Sequence, residues 1–317
     1  MSLKRYLANA DNTIANAFRN DNFNLRATGS NMGLADVLEV FSIYGSSTTY
    51  FAELSRVLVQ FDTSEISSDR TAGDIPASGS VSFYLRLYNA ETTKTVPQDF
   101  SLTIQAISRS WDEGFGLDLE GYKDKGKSNW VSASSTTAWT AAGGDYHASP
   151  SYTQTFTKGT EDLEVDITTL VEQWLTGSSG GGKTNYGVGI RLGPTFEASS
   201  SGNPSGAVDS FYAKRFFARG TEFFFKRPVI EARWDSSKRD DRGDFYLSSA
   251  LAPASDNLNT LYLYNYVRGR LKNIPGVGTG SIFVNLHQTL GSSALNQAVA
   301  TPATGGFVST GIYSCSV

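Results

Sequence analysis

Along most of this chain apolar and polar residues alternate one for one, and clusters of Gly, Ser, Asn and Asp interrupt the alternation. Residues 37–44, 55–62, 79–88, 101–108 and 186–192 all follow this pattern. A period of two puts alternate side chains on opposite faces of a strand, so each run predicts a strand with one buried and one solvated face. The intervening residues suit antiparallel turns. The chain is therefore expected to be all-β, a jelly-roll-like antiparallel β-sandwich.

Two departures from period two predict helix. Residues 63–66 predict a single turn after the second strand. Residues 166–175 predict a longer helix: Asp166 can cap it, and Ile167, Leu170, Val171, Trp174 and Leu175 recur at helical spacing. Gly177 follows, where a helix end favours a left-handed residue.

The densest charge cluster, residues 233–244, marks a division. It separates an expected β-sandwich over residues 1–232 from a smaller, Ig-like β domain over 233–317. Strands are predicted there at 260–268, 281–287 and 311–317. The last stops in mid-pattern, which predicts that the natural chain continues or that a neighbouring subunit completes the sheet.

Composition excludes several functions. The chain has 317 residues, only 18% of them charged and 12% aromatic, with a net charge of −4. That balance excludes a mostly disordered chain, and it lacks the basic surface a general nucleic-acid binder needs. A single cysteine, Cys315, excludes an internal disulfide framework and a thiolate zinc cluster. Two histidines, His147 and His287, leave little room for His-based catalysis. The start has a basic patch but no apolar stretch of signal-peptide length, and no window approaches the about 18 apolar residues of a membrane span. A protein assembled in a cytoplasm, with no membrane and no nucleic acid among its partners, is the expectation.

Several blocks occur in a fixed order: Asp11-Asn-Thr-Ile14, Asn31-Met-Gly33, Arg56-Val-Leu-Val-Gln-Phe-Asp62, Ser82-Phe-Tyr-Leu-Arg-Leu-Tyr88 and Ser110-Trp-Asp-Glu-Gly114. Trp130 and Trp139 follow, then Asp166-Ile-Thr, Trp174-Leu-x-Gly177 and Asn185-Tyr-Gly-Val-Gly-Ile190. In this order they resemble the DNRLRE-type β-sandwich domain of cell-surface, carbohydrate-binding and virion proteins. The resemblance covers roughly the first 195 residues and implies fold more than activity. Farther on, Asp241-Arg-Gly-Asp-Phe-Tyr-Leu and Asn259-Thr-Leu-Tyr-Leu-Tyr-Asn look similar to virion structural proteins of tailed bacteriophages.

Each chemical motif has a simpler structural alternative. Residues 177–184 match the P-loop pattern ending in Lys183-Thr184, but a helix precedes them and a strand follows, the reverse of a phosphate cradle. Asp112, Glu113, Asp118, Glu120 and Asp124 cluster after Trp111 and could ligate calcium, the one cofactor considered; their spacing is not that of an EF-hand. Arg242-Gly243-Asp244 spells a recognition tripeptide too short to carry weight. No acid, base and nucleophile set stands out, so an enzyme is not expected. Tyr122, Trp130, Trp139, Tyr146 and Tyr152 fall in a long loop-rich stretch, either as a sugar-stacking surface or as caps on the core. Phe216, Phe217, Phe223 and Phe225 read as apolar groups on both faces of a strand, suited to burial or to docking on a neighbouring subunit.

The expectation is thus a non-enzymatic virion structural protein of a tailed phage. It would assemble with other virion proteins or with copies of itself as a homo-oligomer. The alternative is a carbohydrate-binding or adhesion module on a bacterial surface or secreted protein, meeting a cell-surface glycan through the aromatic loop.

Overall fold

In a computed structural model, the chain packs as two compact units, Met1–Asp235 and Ser236–Val317. The structure describes residues 2–19, 22–45, 52–92, 96–117, 127–200, 203–238, 240–243, 249–253, 257–287 and 300–317. No helix among them is long and apolar enough to cross a membrane.

The first unit starts with β1 (Ser2–Ala15), β2 (Phe18–Arg19), β3 (Asn22–Arg26), β4 (Val37–Ile43) and β5 (Glu53–Phe61). Helix α1 (Ser64–Ala72) leads to β6 (Ser82–Leu87), β7 (Phe100–Ile107), β8 (Tyr146–Phe156) and β9 (Leu163–Asp166). Helix α2 (Thr168–Thr176) precedes β10 (Val188–Leu192), β11 (Phe211–Phe217) and β12 (Val229–Trp234). All the pairings between these strands are antiparallel, so the all-β class and the sandwich architecture stand.

The long strand β1 joins the two halves. Its residues Ser2 to Leu7 pair with β12, and its residues Ala8 to Ala15 pair with β5 after a shift in register between Ala8 and Ala10. The strand order is therefore β8-β7-β10-β5-β1-β12-β6-β9, with β4 and β11 branching from β5. A bulge lets one strand bend and serve two sheets. The Ala90 N–H donates to the Arg215 carbonyl and the Phe217 N–H to that of Tyr88, bringing β11 alongside the chain leaving β6. The sheet thereby nearly closes on itself.

The enclosed core draws Phe83, Leu85 and Leu87 from β6, Leu102 and Ile104 from β7, and Val188 and Ile190 from β10. Both helices contribute to it: Ile66 from α1, Leu170, Val171 and Trp174 from α2. A bidentate pair from Arg70 to Glu172, 3.0 and 2.7 Å, ties the helices together. Helix α1 runs for nine residues where a single turn was expected. Only Ile66 of its side chains is buried, so no apolar stripe announces it in the sequence. Helix α2 begins at Thr168; Asp166 ends β9, and its Oδ1 accepts the Thr168 N–H at 2.9 Å.

A second, smaller core lies on the other face of β5. Leu58 sits between Val57 and Val59, and all three are fully buried. Leu58 packs with Ile14, Ile107, Trp111, Trp130, Ala133 and Trp139. Residues of the 108–145 stretch therefore make an outer layer over this part of the sheet.

In the second unit β13 (Thr260–Tyr264), β14 (Tyr266–Val267), β15 (Arg270–Leu271), β16 (Ile282–His287), β17 (Ala300–Ser309) and β18 (Ile312–Ser316) follow. Four of them form one sheet, β13-β18-β17-β16, and β14 and β15 form a hairpin. The pair of facing sheets expected of an Ig-like domain is not seen among the described residues. The predicted strand 260–268 breaks after Tyr264, and the hairpin turns through Arg268 and Gly269, both at positive φ. The last strand, β18, has β13 on one side and β17 on the other, so it is interior to its sheet.

Phe83, opposite Ala232 of β12, is fully buried. Replacing it with Ala is expected to cost about 3–5 kcal/mol, read as a lower urea midpoint with an unchanged slope.

Candidate functional site

The blocks Asp11-Asn-Thr-Ile14, Asn31-Met-Gly33 and Asp112-Glu-Gly114 are far apart in sequence but meet at one corner of the first unit. Asn12 Oδ1 accepts the Met32 N–H at 3.0 Å, and its Nδ2 donates to Ser128 Oγ at 2.8 Å. Asn31 Oδ1 accepts the N–H groups of Gly33 and Gly116. A Cβ on Gly33 would stand 2.1 Å from the Gly114 carbonyl oxygen, so only glycine lets these two backbones touch.

Asp11 and Glu113 share one arginine here. The Asp11 N–H donates to Glu113 Oε1 at 2.9 Å, while Arg219 grips Glu113 through Nε at 3.1 Å and Nη2 at 2.7 Å. The Arg219 N–H donates to Asp11 Oδ2 at 2.5 Å. Asp11 is 1% exposed, and its Oδ1 is buried without a hydrogen-bond partner. Burial pushes its pKa up to about 7; the Arg219 N–H and guanidinium oppose that, and the Glu113 charge adds to it.

Of the five carboxylates considered for calcium, Glu113 is thus committed to Arg219 and Asp112 faces solvent. Asp118, Glu120 and Asp124 lie outside the described residues, as does Tyr122. Among the described residues no three His, Cys, Asp or Glu side chains gather as a metal-binding group.

The aromatic residues of the long stretch are brought together, but inward. Trp130 and Trp139 are 7% and 6% exposed. The Trp139 Nε1 donates to the Asn129 carbonyl at 2.8 Å, and that of Trp111 to the Tyr186 carbonyl at 2.9 Å. These indoles cap the second core and present no open stacking face. Arg56 anchors them: it is bidentate on Glu197, donates to the Gly143 carbonyl at 3.1 Å, and lies 5.2 Å from the Trp130 ring. Tyr146 lies beneath Arg191, 4.6 Å from its guanidinium, and donates to the Gly143 carbonyl. Its ring fits because Gly189 has no Cβ, which would stand 2.0 Å from it. Tyr152, on β8, packs separately against the main core.

The P-loop-like segment is closed to phosphate. The N–H groups of Gly177 and Lys183 both donate to the Gln173 carbonyl, and that of Gly182 to Gly177. These bonds close the end of α2, and the strand that follows is β10. In the recognition tripeptide, Arg242 pairs with Asp240 and Asp244 lies outside the described residues.

The phenylalanines divide. Phe216, on β11, is fully buried, which corrects its place in the expected docking surface. Phe217 stacks edge-on against Phe223 at 5.6 Å. Phe223, Phe224 and Phe225 are 51%, 51% and 76% exposed; they lie at a 3-10 turn, Phe224–Lys226, where a strand was expected. Lys226 lies over the rings of Phe217 and Phe223, and Arg227 over Phe224. The second unit has its own apolar trough of about 600 Å3, lined by Leu261, Leu263, Ile274, Val277, Ile282 and Val284 with Cys315. Burial raises the Cys315 thiol pKa, which keeps it protonated and unreactive.

No protein-family model matches this chain, and no curated protein matches it.

Two outcomes follow from this geometry. Trp130→Ala opens a cavity beside Arg56 and is expected to cost about 3–5 kcal/mol in urea unfolding. The raised pKa of Asp11 means that, from about pH 4 to about pH 7, the folded state holds a proton the unfolded state has released. Its contribution is therefore present in acid and lost as pH rises through about 7. Between pH 5 and pH 8 the stability of Asp11→Asn should rise relative to the parent by about 2–3 kcal/mol, measured by urea unfolding at both pH values.

Proposed function

We propose that this chain is a non-enzymatic structural subunit of a tailed-phage virion, a decoration, neck, tail or fibre component that works by packing against copies of itself. The observation that carries this reading is the aromatic turn at Phe223, Phe224 and Phe225. Three adjacent phenylalanines at least half exposed, rimmed by Lys226 and Arg227, form an apolar surface that a lone soluble unit gains nothing by showing. The open trough of the second unit supports the same reading, since a single sheet needs a second layer to bury its apolar face.

A rigid first unit suits a building block. Its ionisable groups at the Asp11 corner are spent on one another, and none is left paired with a nucleophile. The order of the sequence blocks, with its resemblance to virion proteins, points the same way. The particle is then the place where the protein works.

Native mass spectrometry and light scattering test the reading. The parent chain is expected to form a defined oligomer, and the double variant Phe223→Asp, Phe225→Asp to fall to monomer with an unchanged melting temperature. A parent chain that stays monomeric at every concentration, and is missing from purified particles, would rule assembly out.

A further inference from the structure

Lys214 is buried, at 2% exposure, in the first unit. Its Nζ lies 4.7 Å from the ring centre of Phe156 and 4.8 Å from that of Phe216. It donates to Asn89 Oδ1 at 2.8 Å and to the main-chain carbonyls of Gly159 at 3.1 Å and Glu161 at 2.6 Å. Asn89 is held opposite: it bridges to Phe216, and its N–H donates to Asp162 Oδ1 at 2.8 Å. A buried amine and a carboxamide carbon, one bond beyond the oxygen that the amine touches, are thus fixed together.

We propose that Lys214 and Asn89 join as an isopeptide bond within the folded chain. Burial lowers the Lys214 pKa to about 8 against the charges of Glu161 and Asp162, so the neutral amine is within reach near neutral pH. Nucleophilic attack requires a neutral amine held against the carbonyl group it attacks, and the 2.8 Å contact of Nζ with Asn89 Oδ1 holds it there.

The step balances. A proton leaves Nζ for the solvent, and the neutral amine attacks Asn89 Cγ. The Nζ–Cγ bond forms as the Cγ–Nδ2 bond breaks. Nδ2 takes a second proton from Nζ and leaves as ammonia, which takes up a proton from the solvent. Lysine ammonium plus carboxamide gives secondary amide plus ammonium, with no oxidant or further reactant. The product would staple β11 to the chain leaving β6, where the sheet nearly closes.

Intact-mass spectrometry of the purified chain tests this. The parent is expected about 17 Da below the mass of its sequence, the ammonia lost. A tryptic digest should contain one branched peptide joining the Asn89 and Lys214 segments. Lys214→Arg, which keeps the cation between Phe156 and Phe216, and Asn89→Ala should each return the full mass. A parent chain at its full sequence mass after prolonged incubation overturns the bond whether or not any variant folds, as does a branched peptide through other residues.

Discussion

Strand β1 belongs to two sheets, and the first unit depends on the bend that allows it. Up to Leu7 it pairs with β12, and from Ala8 onward it pairs with β5. Its buried residues Asp11, Asn12 and Thr13 then hold the loops at Glu113 and Met32 and the strand β4 by hydrogen bonds, because the strand is covered on both faces at that point. A buried polar residue has to find its partners inside the protein, and here the partners are those loops and β4. The outer layer over β5 and the arginine at position 219 are both registered by that one strand.

Charge follows the same logic at the other end of β1. Glu231 on β12 is fully buried, and Arg5, Arg86 and Arg233 surround it with bonds of 2.6 to 3.4 Å. Three neighbouring strands are thereby tied across their outer face by a single carboxylate. A buried charge of this kind is tolerated because its oxygens are saturated with charged donors.

The strands with clean alternation were legible from sequence: β4, β5, β6, β7 and β10 lie within two or three residues of their expected bounds. Strand β1 was not, because a residue covered on both faces has no period of two, and Asp, Asn and Thr at positions 11 to 13 read as loop. Strand β8 was hidden for the opposite reason, being polar and exposed along much of its length at the sheet edge. The burial of Trp130 and Trp139 did leave a trace. Leu58 breaks the alternation between Val57 and Val59, and an apolar residue on the supposed solvent face requires a cover. The pairing of Lys214 with Asn89 left none, since it depends on how β11 returns beside β6.

The pairing of β1 with β12 also has a consequence for synthesis. Arg5 bonds to Glu231, 226 residues further along the chain. The first strand made must wait for the last strand of the unit before its sheet can form. Loops that long close slowly, and folds dominated by distant pairings fold slowly. A chain growing from the ribosome would hold β1 half paired, with β5 to lean on and no β12, until nearly the whole first unit had emerged. The bend at Ala8 thus divides the strand in time as well as in space.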